Sequence, residues 1–182
     1  VLYLNLLNQM IFITPYRLDR NLGKYYNDIM QMSNETVCFT DGDVMFLTSD
    51  FGHLIEGYHN RFPDAILTCR TNRIHPLSKQ LDGTMDEECD VRKLLIKAEE
   101  RKHLRTVTEI KPGEGLSGLL MVVPKSVWLK VPFKENGGCL GVDSQFRIDL
   151  HNAGIKTYIM DGVFVFHQYR LLNGAGYKKH LL

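Results

Sequence analysis

Apolar positions recur along the chain with two distinct periods. Ile11, Phe12 and Ile13 form a short unbroken run closed by Pro15, which predicts a buried strand within Met10–Thr14. From Asp19 to Met32 the spacing changes. Leu22, Tyr25, Tyr26, Ile29 and Met30 fall three or four residues apart, predicting a helix with Asp19 as its N-cap. Thr36–Thr40 again reads as strand and runs into Asp41-Gly42-Asp43. Ser49 or Asp50 caps a second predicted helix reaching about Asn60, and Pro63-Asp64 breaks it before a strand at Ala65–Cys69. The resulting β-α-β-α-β order predicts a single α/β domain, Rossmann-like, with a mostly parallel sheet flanked by helices.

Between Thr71 and Ser117 the pattern weakens to one charged helix, about Asp86–Leu104, with Lys111-Pro112-Gly113-Glu114-Gly115 as loop. This 71–117 stretch reads as an insertion that serves an acceptor or a lid. Regularity returns with a strand at Leu119–Val123, a short helix over Pro124–Val131 and a Gly137-Gly138 turn. A helix from about Asp143 to Asn152 follows, closed by Gly154. Two strands, Lys156–Met160 and Val163–His167, are expected on either side of an Asp161-Gly162 turn.

Composition narrows the classes. The 182 residues include 22 Lys plus Arg against 21 Asp plus Glu, a net charge of +1, so no global field draws the chain to nucleic acid or to an anionic membrane. The opening Val1–Ile13 is apolar but interrupted by Asn5, Asn8 and Gln9, and shorter than the ~20 residues of a membrane span. It lacks a basic leader and a cleavage site, so residues 1–9 read as an extra leader and Met10 as a start. Cys38, Cys69, Cys89 and Cys139 show no zinc-type spacing, and Cys38 and Cys69 sit inside apolar runs as buried thiols. That usage suits a reducing compartment, hence a cytoplasmic protein.

Three places carry chemistry. Asp41 and Asp43 flank Gly42 at the end of a buried strand, where open α/β sheets bind ligands. Paired carboxylates repel unless a hard cation such as Mn²⁺ or Mg²⁺ lies between them, although Asp-Gly is also an ordinary turn dipeptide. His167 ends the last predicted strand, either as a structural histidine or as a third ligand if the strand ends converge. Asp143 follows the turn Gly137-Gly138-Cys139-Leu140-Gly141, as a first-turn acid favoured by the helix dipole or as a general base facing the cleft.

Together these residues resemble a known family. Asp41-Gly42-Asp43, Ser117-Gly118-Leu119-Leu120-Met121, Pro124-Lys125-Ser126-Val127-Trp128, the glycine turn into Asp143 and the terminal Val163–His167 follow the order of GT-A-fold glycosyltransferases, family 2-like. Arg20-Asn21-Leu22-Gly23-Lys24-Tyr25-Tyr26-Asn27 is similar to the Asn-x-Gly-x-x-x-Asn helix start of that family. The resemblance implies that Asp41 lies by the ribose or the metal's water shell. It implies that Asp43 and His167 ligate the metal, that Asn27 approaches the nucleoside, and that Arg17 or Arg20 meets the diphosphate. Asp143 matches the acid that deprotonates the acceptor in inverting members. Two features depart from the pattern: only one strand precedes Asn21, and Val142-Asp143 stands where Glu-Asp is usual.

The expected activity is therefore metal-dependent sugar transfer from a nucleotide-diphosphate sugar to a hydroxyl of a carbohydrate or glycolipid. The Lys111–Leu116 loop would close over the donor and exclude water. A non-catalytic carbohydrate- or nucleotide-sugar-binding domain of the same fold is the alternative, since fold does not dictate activity.

Overall fold

The elements are β1 (Ile11–Ile13), α1 (Leu22–Met32), β2 (Val37–Thr40), β3 (Val44–Phe46), α2 (Phe51–Arg61) and β4 (Ile66–Thr71), then α3 (Val91–Arg101), β5 (Val107–Glu109), β6 (Leu120–Val123), α4 (Lys125–Lys130), α5 (Val142–Asn152) and β7 (Thr157–His167). They come from a computed structural model that describes residues 10–16, 21–75, 78–135 and 137–169. Residues 1–9, read from sequence as a leader, and Arg17, Asp19 and Arg20 lie outside the described residues.

The strands form one sheet in the order β1-β2-β6-β4-β7-β3, with β5 also paired to β7. The expectation of a mostly parallel, Rossmann-like sheet is overturned. Only β1–β2 and β4–β7 are parallel; β2–β6, β4–β6, β3–β7 and β5–β7 are antiparallel. The result is a mixed sheet that curls into a half-barrel. β6 enters antiparallel between β2 and β4, and an unbroken apolar run such as Leu120–Val123 reads the same in either direction.

Strand alternation distributes the core over both faces. Val37, Phe39, Met121 and Val123 pack with Tyr26 and Met30 of α1, Val127 of α4, and Phe146 and Leu150 of α5. Cys38, Leu120, Val122, Leu67 and Cys69 point the other way and meet Ile55 and Tyr58 of α2. Leu94 and Ala98 of α3 pack with Phe164 and Phe166 of β7. Cys38 and Cys69 are buried free thiols, and burial raises both well above the ordinary thiol pKa.

Local departures have local causes. The cap of α1 is Asn21, whose side chain accepts from the Lys24 N–H at 3.2 Å, and the helix begins at Leu22 rather than following Asp19. β3 and β5 are three-residue strands below the length at which periodicity reports anything. The two C-terminal strands are one 11-residue strand, β7. Asp161-Gly162 is not a turn but part of a bulge: Cys69 pairs with Met160 and Arg70 with Phe164, so Asp161, Gly162 and Val163 stand out of register. The bulge is anchored at both leading residues. The Asp161 carboxylate accepts from Arg70 Nη2 at 2.7 Å and from the hydroxyls of Thr106 and Thr108 at 3.0 and 2.9 Å. Gly162 N–H donates to the Tyr58 hydroxyl, and a Cβ there would lie 2.5 Å from the Leu104 carbonyl oxygen.

Candidate functional site

The Asp-Gly-Asp segment leaves the end of β2 as a tight turn into β3. Asp41 N–H donates to the Leu119 carbonyl at 2.9 Å and Val44 N–H returns to the Asp41 carbonyl at 3.3 Å. β3 then pairs antiparallel with β7, setting Val44 opposite His167. Asp43 immediately precedes that pair, so its carboxylate comes beside the imidazole, Oδ1 to Nε2 at 3.3 Å. One ligand atom each from Asp41, Asp43 and His167 lies within 4.8 Å of the others. The structure thus brings together three residues from two ends of the sequence.

His167 is 3% exposed and held from three directions. Its N–H donates to Asn72 Oδ1 at 3.0 Å, Asn72 Nδ2 donates to the Glu88 carbonyl at 2.7 Å, and His167 Nδ1 lies 2.8 Å from the Arg73 carbonyl. A backbone carbonyl only accepts, so Nδ1 carries the proton and a neutral ring turns the Nε2 lone pair toward Asp43. Two lone pairs at 3.3 Å repel unless a proton or a cation lies between them. Backbone anchoring of Nδ1 is also how metal-ligating histidines are oriented. Thr71-Asn72-Arg73 is buried, and Asn72 and Arg73 support His167.

The case in which a proton fills that gap shows in the carboxylate pKa values. Burial raises the Asp41 pKa; His167 opposes the rise, while Asp43 and Asp143 add to it. The contact with His167 lowers the Asp43 pKa against a smaller burial effect. Asp41 is thus burdened by burial and by its acidic neighbours, whereas Asp43 is held ionised when the imidazole donates from Nε2. A hard divalent cation fits this donor set of two carboxylates and one imidazole.

Asp41, His167 and Asp143 line one cavity of about 660 Å³, within the size range of small-ligand sites. Asp143 sits in the first turn of α5, after Gly141 at φ 78°. Its Oδ2 accepts from Gly118 N–H at 2.9 Å and its Oδ1 from Ser144 N–H at 2.8 Å. Gly118 is held through Ser117, whose N–H and carbonyl both bond the fully buried Gln80 side chain. Gly113, Gly115 and Leu116 also line the cavity, and Glu114 ties their loop to Lys79 at 2.6 Å.

Asn27 takes another role. Its amide donates to the Phe133 carbonyl and to Glu135, and accepts from Trp128 Nε1 and Phe133 N–H, fastening α1 to the chain after α4. It is not among the residues that line the cavity. Arg17 and Arg20 lie outside the described residues. Tyr26, read from sequence only as a core residue, lines the cavity. Burial, with Asp41, Asp143 and Cys139 nearby, raises its phenol pKa and keeps it a donor. No pattern announces such a residue, because its ring satisfies the helix period whether or not its hydroxyl meets a cavity.

No family model matches the chain, and no curated protein matches it. Among the described residues, no helix is long and apolar enough to cross a membrane.

Proposed function

We propose that this chain is a metal-dependent glycosyltransferase that moves a sugar from a nucleotide-diphosphate sugar to an acceptor hydroxyl. The observation that carries the reading is the convergence of Asp41, Asp43 and His167 beside a cavity that Asp143 also lines. Asp41, Asp43 and His167 would hold Mn²⁺ or Mg²⁺, which when bound supplies positive charge to a departing diphosphate. Asp143 takes the acceptor hydroxyl proton as the new C–O bond forms, and the diphosphate leaves with the electron pair of the bond it loses. Displacement in one step inverts the anomeric centre. Gly118 and Ser144 N–H groups fix the carboxylate while each oxygen keeps a lone pair for that proton. A placed base contributes about 10²–10⁴-fold. The acceptor in this reading is a carbohydrate or glycolipid, and the near-neutral charge gives no support to a nucleic-acid partner. The free thiols Cys38 and Cys69 support a reducing, cytoplasmic setting.

The test is nucleoside-diphosphate release across a panel of nucleotide sugars with Mn²⁺, in the native chain and in Asp143→Asn. Transfer should fall by about 10²–10⁴ while calorimetric donor binding persists. Equal loss of binding removes Asp143 as the base. Donor binding by the native chain without any turnover or donor hydrolysis would instead assign a binding module.

A further inference from the structure

A second cavity, of about 230 Å³, opens beside the ends of β5 and α5, and among its lining side chains are Lys111, Arg147, His151 and Lys156. Glu109 is the one carboxylate among its lining residues, and it lies 3.4 Å from Lys156 Nζ. Lys111, Arg147 and Lys156 against Glu109 leave an excess of two positive charges on this wall. Arg147 Nε is buried and makes no hydrogen bond among the described residues. Arg147 brings a guanidinium to the cavity wall, and a guanidinium matches the geometry of an oxyanion. The cavity is smaller than the ~300 Å³ of typical small-molecule pockets, so it suits one anionic group rather than a whole nucleotide.

We propose that this cavity is an oxyanion site that takes a phosphate, free or carried on a sugar. It shares α5 with the larger cavity. Asp143, Arg147 and His151 fall four residues apart on α5 and share one helix face, Arg147 about 6 Å and His151 about 12 Å along the axis from Asp143. The connecting loop is also shared: Lys111 and Pro112 line the smaller cavity, while Gly113, Gly115 and Leu116 line the larger. A phosphate on a sugar held near Asp143 therefore has cations within the reach of about one further ring. The cavity and its cations stand whether or not the transferase reading holds.

The experiment is a titration of the whole chain with inorganic phosphate and with glucose 6-phosphate, followed by ³¹P NMR and calorimetry. EDTA is present and ionic strength is held constant. Saturable binding is expected, weakened at least tenfold by Arg147→Gln and by Lys111→Gln, an exposed loop position whose change leaves the core intact. Lys130→Gln removes an equal charge from an exposed position outside the cavity and should change nothing. Tighter binding of glucose 6-phosphate makes the anion part of a sugar ligand; equal binding makes it a free anion, and both outcomes keep the site. Absence of saturable binding, or equal binding by the native chain and both pocket variants, overturns it. Failure of sugar transfer alone leaves this result untouched.

Discussion

Replacing Asp43 by Asn separates a metal ligand from a structural acid, because the two roles move the melting temperature in different ways. Without metal the change removes a contact to His167 from a carboxylate 45% exposed, worth about 0.2–1 kcal/mol at such sites. It also relieves Asp41, whose protonation is favoured partly by Asp43. These effects oppose each other, so the metal-free melting temperature should move by no more than about 2–4 °C. With metal the balance differs. An ion at 100 times its dissociation constant stabilises the native state by about 2.7 kcal/mol, roughly 5–11 °C for a chain of this size. Losing one of three protein donors on the order of 100-fold in affinity brings the dissociation constant up to the working concentration. About 0.4 kcal/mol then remains, or ~1–2 °C. Differential scanning fluorimetry of native chain, Asp43→Asn and His167→Ala across a Mn²⁺ titration reads this directly. Equal Mn²⁺ shifts in all three proteins, or none in the native chain, would refute the shared-ion argument.

Three further outcomes test the scaffold. Asp161→Ala strands Arg70 beside Thr106 and Thr108 in a site where both charged side chains are mostly buried, and should cost about 3–5 kcal/mol in urea unfolding. The double change Arg70→Leu with Asp161→Leu should recover much of that loss. Asp82 is held below its ordinary pKa: burial raises it, but the Thr84 hydroxyl and N–H, Arg101 and Lys97 together outweigh burial. A depressed folded-state pKa gives stability that is present above about pH 3.9 and lost as pH falls further, so Asp82→Asn should flatten the acid limb of a stability–pH curve. Gln80→Ala leaves the buried Thr68 hydroxyl and both Ser117 backbone groups without their partner, which should cost about 2–4 kcal/mol. It should also lower turnover beyond the unfolded fraction, because Ser117-Gly118 orients Asp143.

Element type was legible along most of the chain, and element direction was not. Val37–Thr40 and Leu120–Val123 are buried at every position, as unbroken apolar runs require. Burial on both faces, however, says nothing about polarity, and β6 lies antiparallel to both its neighbours. Asp161-Gly162 shows the opposite failure. A dipeptide common in turns sits within a continuous strand because Arg70, 91 residues away, neutralises the Asp, and Tyr58 occupies the space a side chain would need. Neither partner is visible in any local window.

The same division runs through the site. Asp41, Asp43, His167 and Asp143 were each visible as chemistry at a strand end or helix start, because carboxylates and imidazoles are scarce in apolar surroundings. The meeting of Asp43 with His167 was expected from parallel strand ends, yet it arises from the antiparallel register that sets Val44 against His167. Their supports were hidden for a different reason. The groups that orient His167 and Asp143 are the Arg73 carbonyl and the Gly118 N–H, which nearly every residue type possesses. Side-chain identity therefore nominates donors, whereas backbone geometry decides which lone pair each donor presents. Asn27 marks that limit: its four hydrogen bonds are spent bracing Phe133, Glu135 and Trp128, so an amide resembling a ligand contact serves packing instead. For His167 the reverse holds: Nδ1 donates to the Arg73 carbonyl, so Nε2 is the atom left facing Asp43 at 3.3 Å, where a proton or a cation must separate the two lone pairs.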